Sequence, residues 1–239
     1  MTGRVTCIVP LAGPDLIHPD FGPRPLFPVD GRPLIDAALG SRRWARAVQP
    51  SDHVFVLREV DGVELVIDHL EQSFPDCAIV RLPRLTDGAL LSAMAGAAVV
   101  PASSGPVIVD LADIVFTGGP SADDLRAWPR DLGGLVPWFP SSDPRYSYLR
   151  CEGNRVLETA EKRRISDQAS AGVYLFRDVA TFIAASGHSL ANRDALAHDG
   201  SLFVCPAMNG VTAAGLEVRS VRVNRVRSLS AHFHPSLST

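Results

Sequence analysis

The sequence predicts an α/β fold built on a Rossmann-like, mixed and mainly parallel sheet with helices on both faces. Three observations carry this. An apolar strand over Val5 to Pro10 runs straight into a loop bearing Gly13, the arrangement in which open α/β sheets bind ligands outside their strand ends. Short apolar runs then alternate with helical patterns of roughly 10–15 residues, which indicates βαβ units. Finally, Pro106 to Asp110 (PVIVD) reads as a strongly apolar central strand.

Composition narrows the class. At 239 residues the chain fits one domain, residues 1–239. An apolar content of 46% with 21% charge is ordinary for a globular protein, and a net charge of −3 gives no general pull toward nucleic acid or an anionic membrane. The first residues lack a signal-peptide layout, and no apolar stretch nears the roughly 20 residues that span a bilayer. Cys7, Cys77, Cys151 and Cys205 are scattered without a CxxC pair, so reduced cysteines and a cytoplasmic location are expected. Of the 23 basic residues only Lys162 is a lysine. It carries a compact point charge in a chain otherwise supplied with planar guanidinium forks.

In chain order, an Arg-Pro-Leu turn follows the first loop. Residues 33 to 47 then place Leu34, Ile35, Ala38, Leu39 and Trp44 on one helical face, with Val48 just beyond. Pro33 opens this helix, and Gly40-Ser41 allows a break in it. His53 to Val60 reads as a strand, Val63 to Phe74 as a helix stopped before Pro75, and Ala78 to Leu82 as a strand. Residues 84 to 100 form a loop and a small-residue helix. Thr86 or Asp87 can cap that helix, and Gly88 at its start can let backbone approach a flat ring or a phosphate. Asp110 and Asp113 stand at the end of the central strand, where an Asp also commonly starts a turn. Gly133 to Trp138, Arg145 to Cys151 and Val156 to Thr159 are further strands, the last two joined at Glu152-Gly153-Asn154. Helices are expected over VATFIAAS, Ala191 to His198 and Leu202 to Ala214, and a strand over Glu217 to Asn224. The tail from Ser228 is expected to be irregular, with His232 and His234 a surface pair.

Two stretches carry a resemblance. Leu11-Ala12-Gly13 followed by Arg24-Pro25-Leu26-Phe27-Pro28-Val29-Asp30-Gly31-Arg32-Pro33-Leu34-Ile35 resembles the opening of the sugar-phosphate nucleotidyltransferases, (L/M)AGxGxR and KPL(I/L)PV(D/N)GKP(M/L)I. Residues 141 to 176 resemble the same family's S-(D/N)-P-x-(W/Y)-(S/G)-Y segment and the run that follows it. Glu161, Lys162, Ile165, Ser166, Ala169, Gly172, Tyr174 and Phe176 fall on the family positions. The resemblance extends from about Val5 to Leu229 and implies the nucleotidyltransferase/glycosyltransferase-A type of fold.

It also implies an activity: transfer of a nucleoside monophosphate from a nucleoside triphosphate to a sugar phosphate or other small phosphorylated metabolite, with release of pyrophosphate. Leu11, Ala12, Gly13 and Arg24 would cradle the triphosphate, and Thr86 and Gly88 the base. Asp113, with Asp110 the second choice, would hold Mg²⁺. Glu161, Lys162 and Gly172 would bind the acceptor, so Arg24 and Lys162 are the candidate catalytic cations. Homo-oligomerisation is left open. The chain departs from the family in two places: Pro14-Asp15-Leu16-Ile17 replaces the Gly-rich loop, and no Asp or Glu follows Glu217. Pro14 removes a backbone donor, and Asp15 and Asp20 repel phosphate. A catalytically degenerate relative that binds a nucleotide, a phosphometabolite or a protein partner is therefore the alternative. A nucleotide-sugar-dependent glycosyltransferase comes third, since no D-x-D motif is present. The loop from Gly13 to Arg24 is expected at the carboxyl end of the first strand, mobile without ligand because it has little to pack.

Overall fold

A computed structural model describes residues 4–229. His232 and His234 lie outside the described residues. Among those described, eleven strands form one mixed sheet. They are β1 (Thr6–Pro10), β2 (His53–Arg58), β3 (Ala78–Leu82), β4 (Val107–Asp110), β5 (Ile114–Gly118) and β6 (Leu132–Pro140), then β7 (Tyr148–Glu152), β8 (Arg155–Ala160), β9 (Gln168–Ser170), β10 (Val173–Phe176) and β11 (Glu217–Ser228). The helices are α1 (Leu34–Gly40), α2 (Val63–Ser73), α3 (Ala89–Ala97), α4 (Ala122–Arg126), α5 (Val179–Ala191), α6 (Arg193–Leu196) and α7 (Ala207–Ala213).

The sheet order is β3-β2-β1-β4-β10-β6-β9-β7-β8-β11-β5. The first four strands in this order pair parallel, as the strand-helix alternation predicts. From β10 onward the pairing is antiparallel, with one parallel contact between β6 and β11, so the sheet is mixed as expected but its antiparallel pairings outnumber the parallel ones. Side chains alternate across the buried strands. Cys7, Val9, Phe55, Leu57 and Ile108 join one core with α1 and α2. Ile8, Val54, Val56, Val107 and Val109 join a second core with α3, α5 and α7. Burying both faces in this way is what makes the first strands read as continuous apolar runs.

Several local readings change. The helix from Pro33 stops at Gly40, and Trp44 is buried beyond it in irregular chain. Ending the helix there lets Arg42 turn under the sheet toward Asp110. The helical reading over 202 to 214 holds only from Ala207. Leu202 instead bridges to the turn before α3, its N–H donating to Asp87 O at 2.8 Å and its carbonyl accepting from Leu90 N at 3.1 Å. Leu229 is not part of an irregular tail either: it is buried, and its N–H donates to Asp113 O at 2.8 Å. Leu16 gives the first loop an anchor, since it is 2% exposed and packs in the core with α1 and α2. No helix among the described residues is long and apolar enough to cross a membrane.

Candidate active site

The turn between β4 and β5 is pinned from below. Asp110 is fully buried, with Oδ2 accepting from Arg42 Nε at 2.7 Å and Oδ1 from Nη2 at 2.9 Å. Oδ1 also accepts the Ala112 N–H at 2.9 Å, and Arg42 Nη1 donates to Ile114 O at 2.8 Å. Both oxygens of Asp110, the second choice for a metal ligand, are thus engaged by Arg42 and by backbone. What the turn presents is Asp113.

Asp113 is half-buried as a residue, but its Oδ1 is shut off from solvent and has no hydrogen-bond partner among the described residues. Burial raises its pKa above the usual carboxylate range, with Arg24 the main opposing influence. Gly172, at φ +73°, leads into β10 directly opposite. A Cβ there would stand 2.8 Å from Asp113 Oδ1. Glycine therefore serves twice at position 172, tolerating the left-handed backbone and leaving room for the Asp113 carboxylate.

Arg24 opens a short 3₁₀ turn at the end of the first loop. Its guanidinium is ion-paired to Asp15. Burial disfavours its charged form, and the Asp113 carboxylate partly offsets this. At the loop's start, Leu11 N–H donates to Val56 O at 2.8 Å, Ala12 is buried, and the Gly13 carbonyl accepts the Leu16 N–H at 3.3 Å.

Glu161 follows β8. Ser147 Oγ donates to its Oε2, and burial pushes its pKa up to about 7, with Ser147 and Lys162 opposing and Asp113 adding to the rise. Ser170 Oγ lies 2.9 Å from the Tyr174 hydroxyl and accepts the Gly172 N–H at 3.2 Å. Buried hydrogen bonds thus join Tyr174 through Ser170 to Gly172. A polar cavity of about 210 Å³ opens beside Glu161, lined also by Thr159, Arg163 and His198.

Lys162 is exposed, at φ +46°, with its ammonium 5.1 Å from the centre of the Phe203 ring. Arg163 beside it is paired with Glu158 at 2.9 Å. No ion-pair partner holds Lys162 among the described residues, and Arg163 and Arg164 beside it are exposed as well.

Arg24, Gly172 and Glu161 thus each act on Asp113, by charge or by close approach, while Lys162 stands next to Glu161 on the surface. Thr86 and Gly88 are committed to local structure. Thr86 Oγ1 lies 2.7 Å from Ser92 Oγ, and a Cβ at Gly88 would stand 2.1 Å from Leu202 O. The close approach that glycine permits there is to the Leu202 backbone. Sequence reading missed Asp15 as the partner of Arg24, and Phe203, which was assigned to a helix. Ser147 could have been found, since it lies inside the S-D-P-R-Y-S-Y segment.

A divalent cation was expected at Asp113. Among the described residues no three His, Cys, Asp or Glu side chains cluster as a metal cage. The unpartnered, shielded Oδ1 of Asp113 fits the looser mode, in which Mg²⁺ is held by one carboxylate and by the phosphates of a substrate.

No protein-family model matches the chain, and no curated protein sequence matches it. Solved structures do. The nucleoside-diphosphate-sugar pyrophosphorylase from Vibrio cholerae RC9 aligns with a TM-score of 0.76 at 20% identity, covering 97% of this chain and 98% of its own. A putative glucose-1-phosphate thymidylyltransferase from Bacillus anthracis gives 0.72 at 18% identity, covering 98% and 92%. The inositol-1-phosphate CTP transferase from T. maritima gives 0.65 at 14% identity, covering 95% and 88%. At these identities the likeness establishes a shared nucleotidyltransferase fold over nearly the whole chain.

Proposed function

We propose that the chain is a nucleotidyltransferase joining a nucleoside monophosphate, taken from its triphosphate, to a small phosphorylated acceptor. The observation that carries this is the meeting of Asp113 and Arg24 with Glu161 and Gly172, since the two pairs suit the two substrates of one displacement. An acceptor phosphate oxygen attacks the α-phosphorus, the bond to the β-phosphate oxygen breaks, and pyrophosphate leaves. Such chemistry rests on positioning and on neutralising charge.

Each residue has a part in that work. Arg24, once released from Asp15, binds the triphosphate. Lys162 meets the acceptor phosphate as a mobile point charge. Glu161 sits beside a polar cavity sized for a small polyol and exchanges hydrogen bonds with its hydroxyls. Gly172 leaves room for the Asp113 carboxylate that a side chain would crowd. Asp113 would hold Mg²⁺, which when bound supplies neutralisation of the phosphate oxygens.

The test is a panel of nucleoside triphosphates with Mg²⁺ and sugar 1-phosphates or polyol phosphates, scored for pyrophosphate. Acceptor-dependent release that Asp113→Asn abolishes is expected. A panel without turnover in which triphosphates still bind would replace this reading with a second, a binding protein descended from the same fold. The Asp15–Arg24 ion pair favours that second reading, because it engages the guanidinium that would bind phosphate.

A further inference from the structure

A cavity of about 560 Å³ lies under the sheet, between the end of α1, the irregular chain after it and the end of α2. That volume falls within the range of small-molecule sites, roughly 300–1,000 Å³. None of the residues given a part in nucleotidyl transfer lines it. Its walls are apolar and aromatic, with Leu39, Trp44, Val48 and Phe74.

Its polar groups differ in what they can still offer. The floor is the Arg42–Asp110 pair, whose charges satisfy each other and nearby backbone. His53 lines the wall, with Nδ1 3.0 Å from Gln49 O. That bond puts the proton on Nδ1 and leaves Nε2 as an acceptor. At the rim, both oxygens of Asp36 lie 3.1 Å from His69 Nε2. Arg46 also lines the cavity, is exposed, and has no ion-pair partner among the described residues.

We infer that this cavity is a second binding site, for a small aromatic compound bearing one hydrogen-bond donor and one anionic group. The rings would lie against Trp44 and Phe74, the donor would meet His53 Nε2, and the anion would meet Arg46. The satisfied floor offers no charge to a ligand, so the rim arginine is the feature that selects an anion over a neutral molecule. This inference does not rest on the nucleotidyltransferase reading.

The probe is 8-anilinonaphthalene-1-sulfonate, an aromatic amine with a sulfonate, titrated by fluorescence into the full chain. Saturable binding at one site is expected. Arg46→Ala should weaken it about tenfold, the loss of one charge contact, while Arg46→Lys largely restores it. Gly40 lines the mouth, and a Cβ there would meet nothing within 4 Å, so Gly40→Phe should block the cavity without strain. Gly40→Leu serves if the ring lowers the melting temperature. Arg24→Ala should leave the titration unchanged. Unaltered affinity in both the Gly40 and the Arg46 variants overturns the inference, and so does competitive displacement of the probe by nucleoside triphosphate.

Discussion

Asp15 holds Arg24 by an ion pair, so under the proposed function a triphosphate would displace a carboxylate to gain the guanidinium. Replacing Asp15 by Asn removes that competitor and its repulsion. Asp15→Asn should tighten triphosphate binding about three- to tenfold, and Arg24→Ala should weaken it at least about tenfold, both by calorimetry. Equal affinities across the three proteins would remove Arg24 from the site. Lys162→Ala should lose transfer while triphosphate binding survives, and Lys162→Arg should recover it only in part, because a planar fork does not replace a compact ammonium. Wild-type turnover in both lysine variants would end that assignment. Glu161 titrates near pH 7 in the folded chain, against 4.5 for the ordinary group. As pH rises from about 4.5 to about 7 the unfolded chain ionises first, so stability falls across that window and levels off above it. The loss is of the order of 3 kcal/mol, and urea titrations of Glu161→Gln should show it removed. A variant with the same pH slope as wild type would mean that Glu161 is ionised throughout.

The docking of α3 shows how one element depends on a distant one. Its N-terminus is closed by the Leu202 backbone, which receives Leu90 N–H and gives its own N–H to Asp87 O. Gly88 stands at φ +112° within that contact. A methyl group there would overlap a carbonyl oxygen that cannot move without breaking the bridge. Gly88→Ala should therefore cost about 3 kcal/mol or more in urea unfolding. A cost below about 1 kcal/mol would show the contact to be loose. The same bridge explains why the helical pattern from Leu202 was misread. The residues are apolar enough for a helix, but Leu202 is claimed by tertiary hydrogen bonds, and Pro206 sets the real start. By contrast β7 and β8 were legible, because Gly153, at φ +60°, closes their hairpin by local chemistry alone.

At the scale of the molecule, the Arg42–Asp110 pair ties the chain after α1 to the central sheet and, through Ile114 O, to the start of β5. Both side chains are withdrawn from water, so the pair's net contribution is modest while its breakage is costly. Arg42→Ala leaves Asp110 buried and uncompensated, and should destabilise the protein by about 3–5 kcal/mol, read as a lower urea midpoint. A loss near zero would mean that water reaches Asp110. Asp113 depends on this pair for its placement, so any activity should fall together with stability.

By itself the sequence determined the α/β class, the parallel strands at one end of the sheet, and the stretches from which Asp113, Glu161, Lys162 and Gly172 come. Those features are written in local periodicity, in turn residues and in motifs a few residues long. Only the tertiary structure decided that Asp110 is spent on Arg42, that Arg24 is held by Asp15, and that Gly88 faces Leu202. It also decided that Leu229 is bound to Asp113. Each of these joins positions whose spacing along the chain carries no pattern. A carboxylate reads the same in sequence whether it is free or paired, and its availability is set by whichever donor the fold brings within about 3 Å.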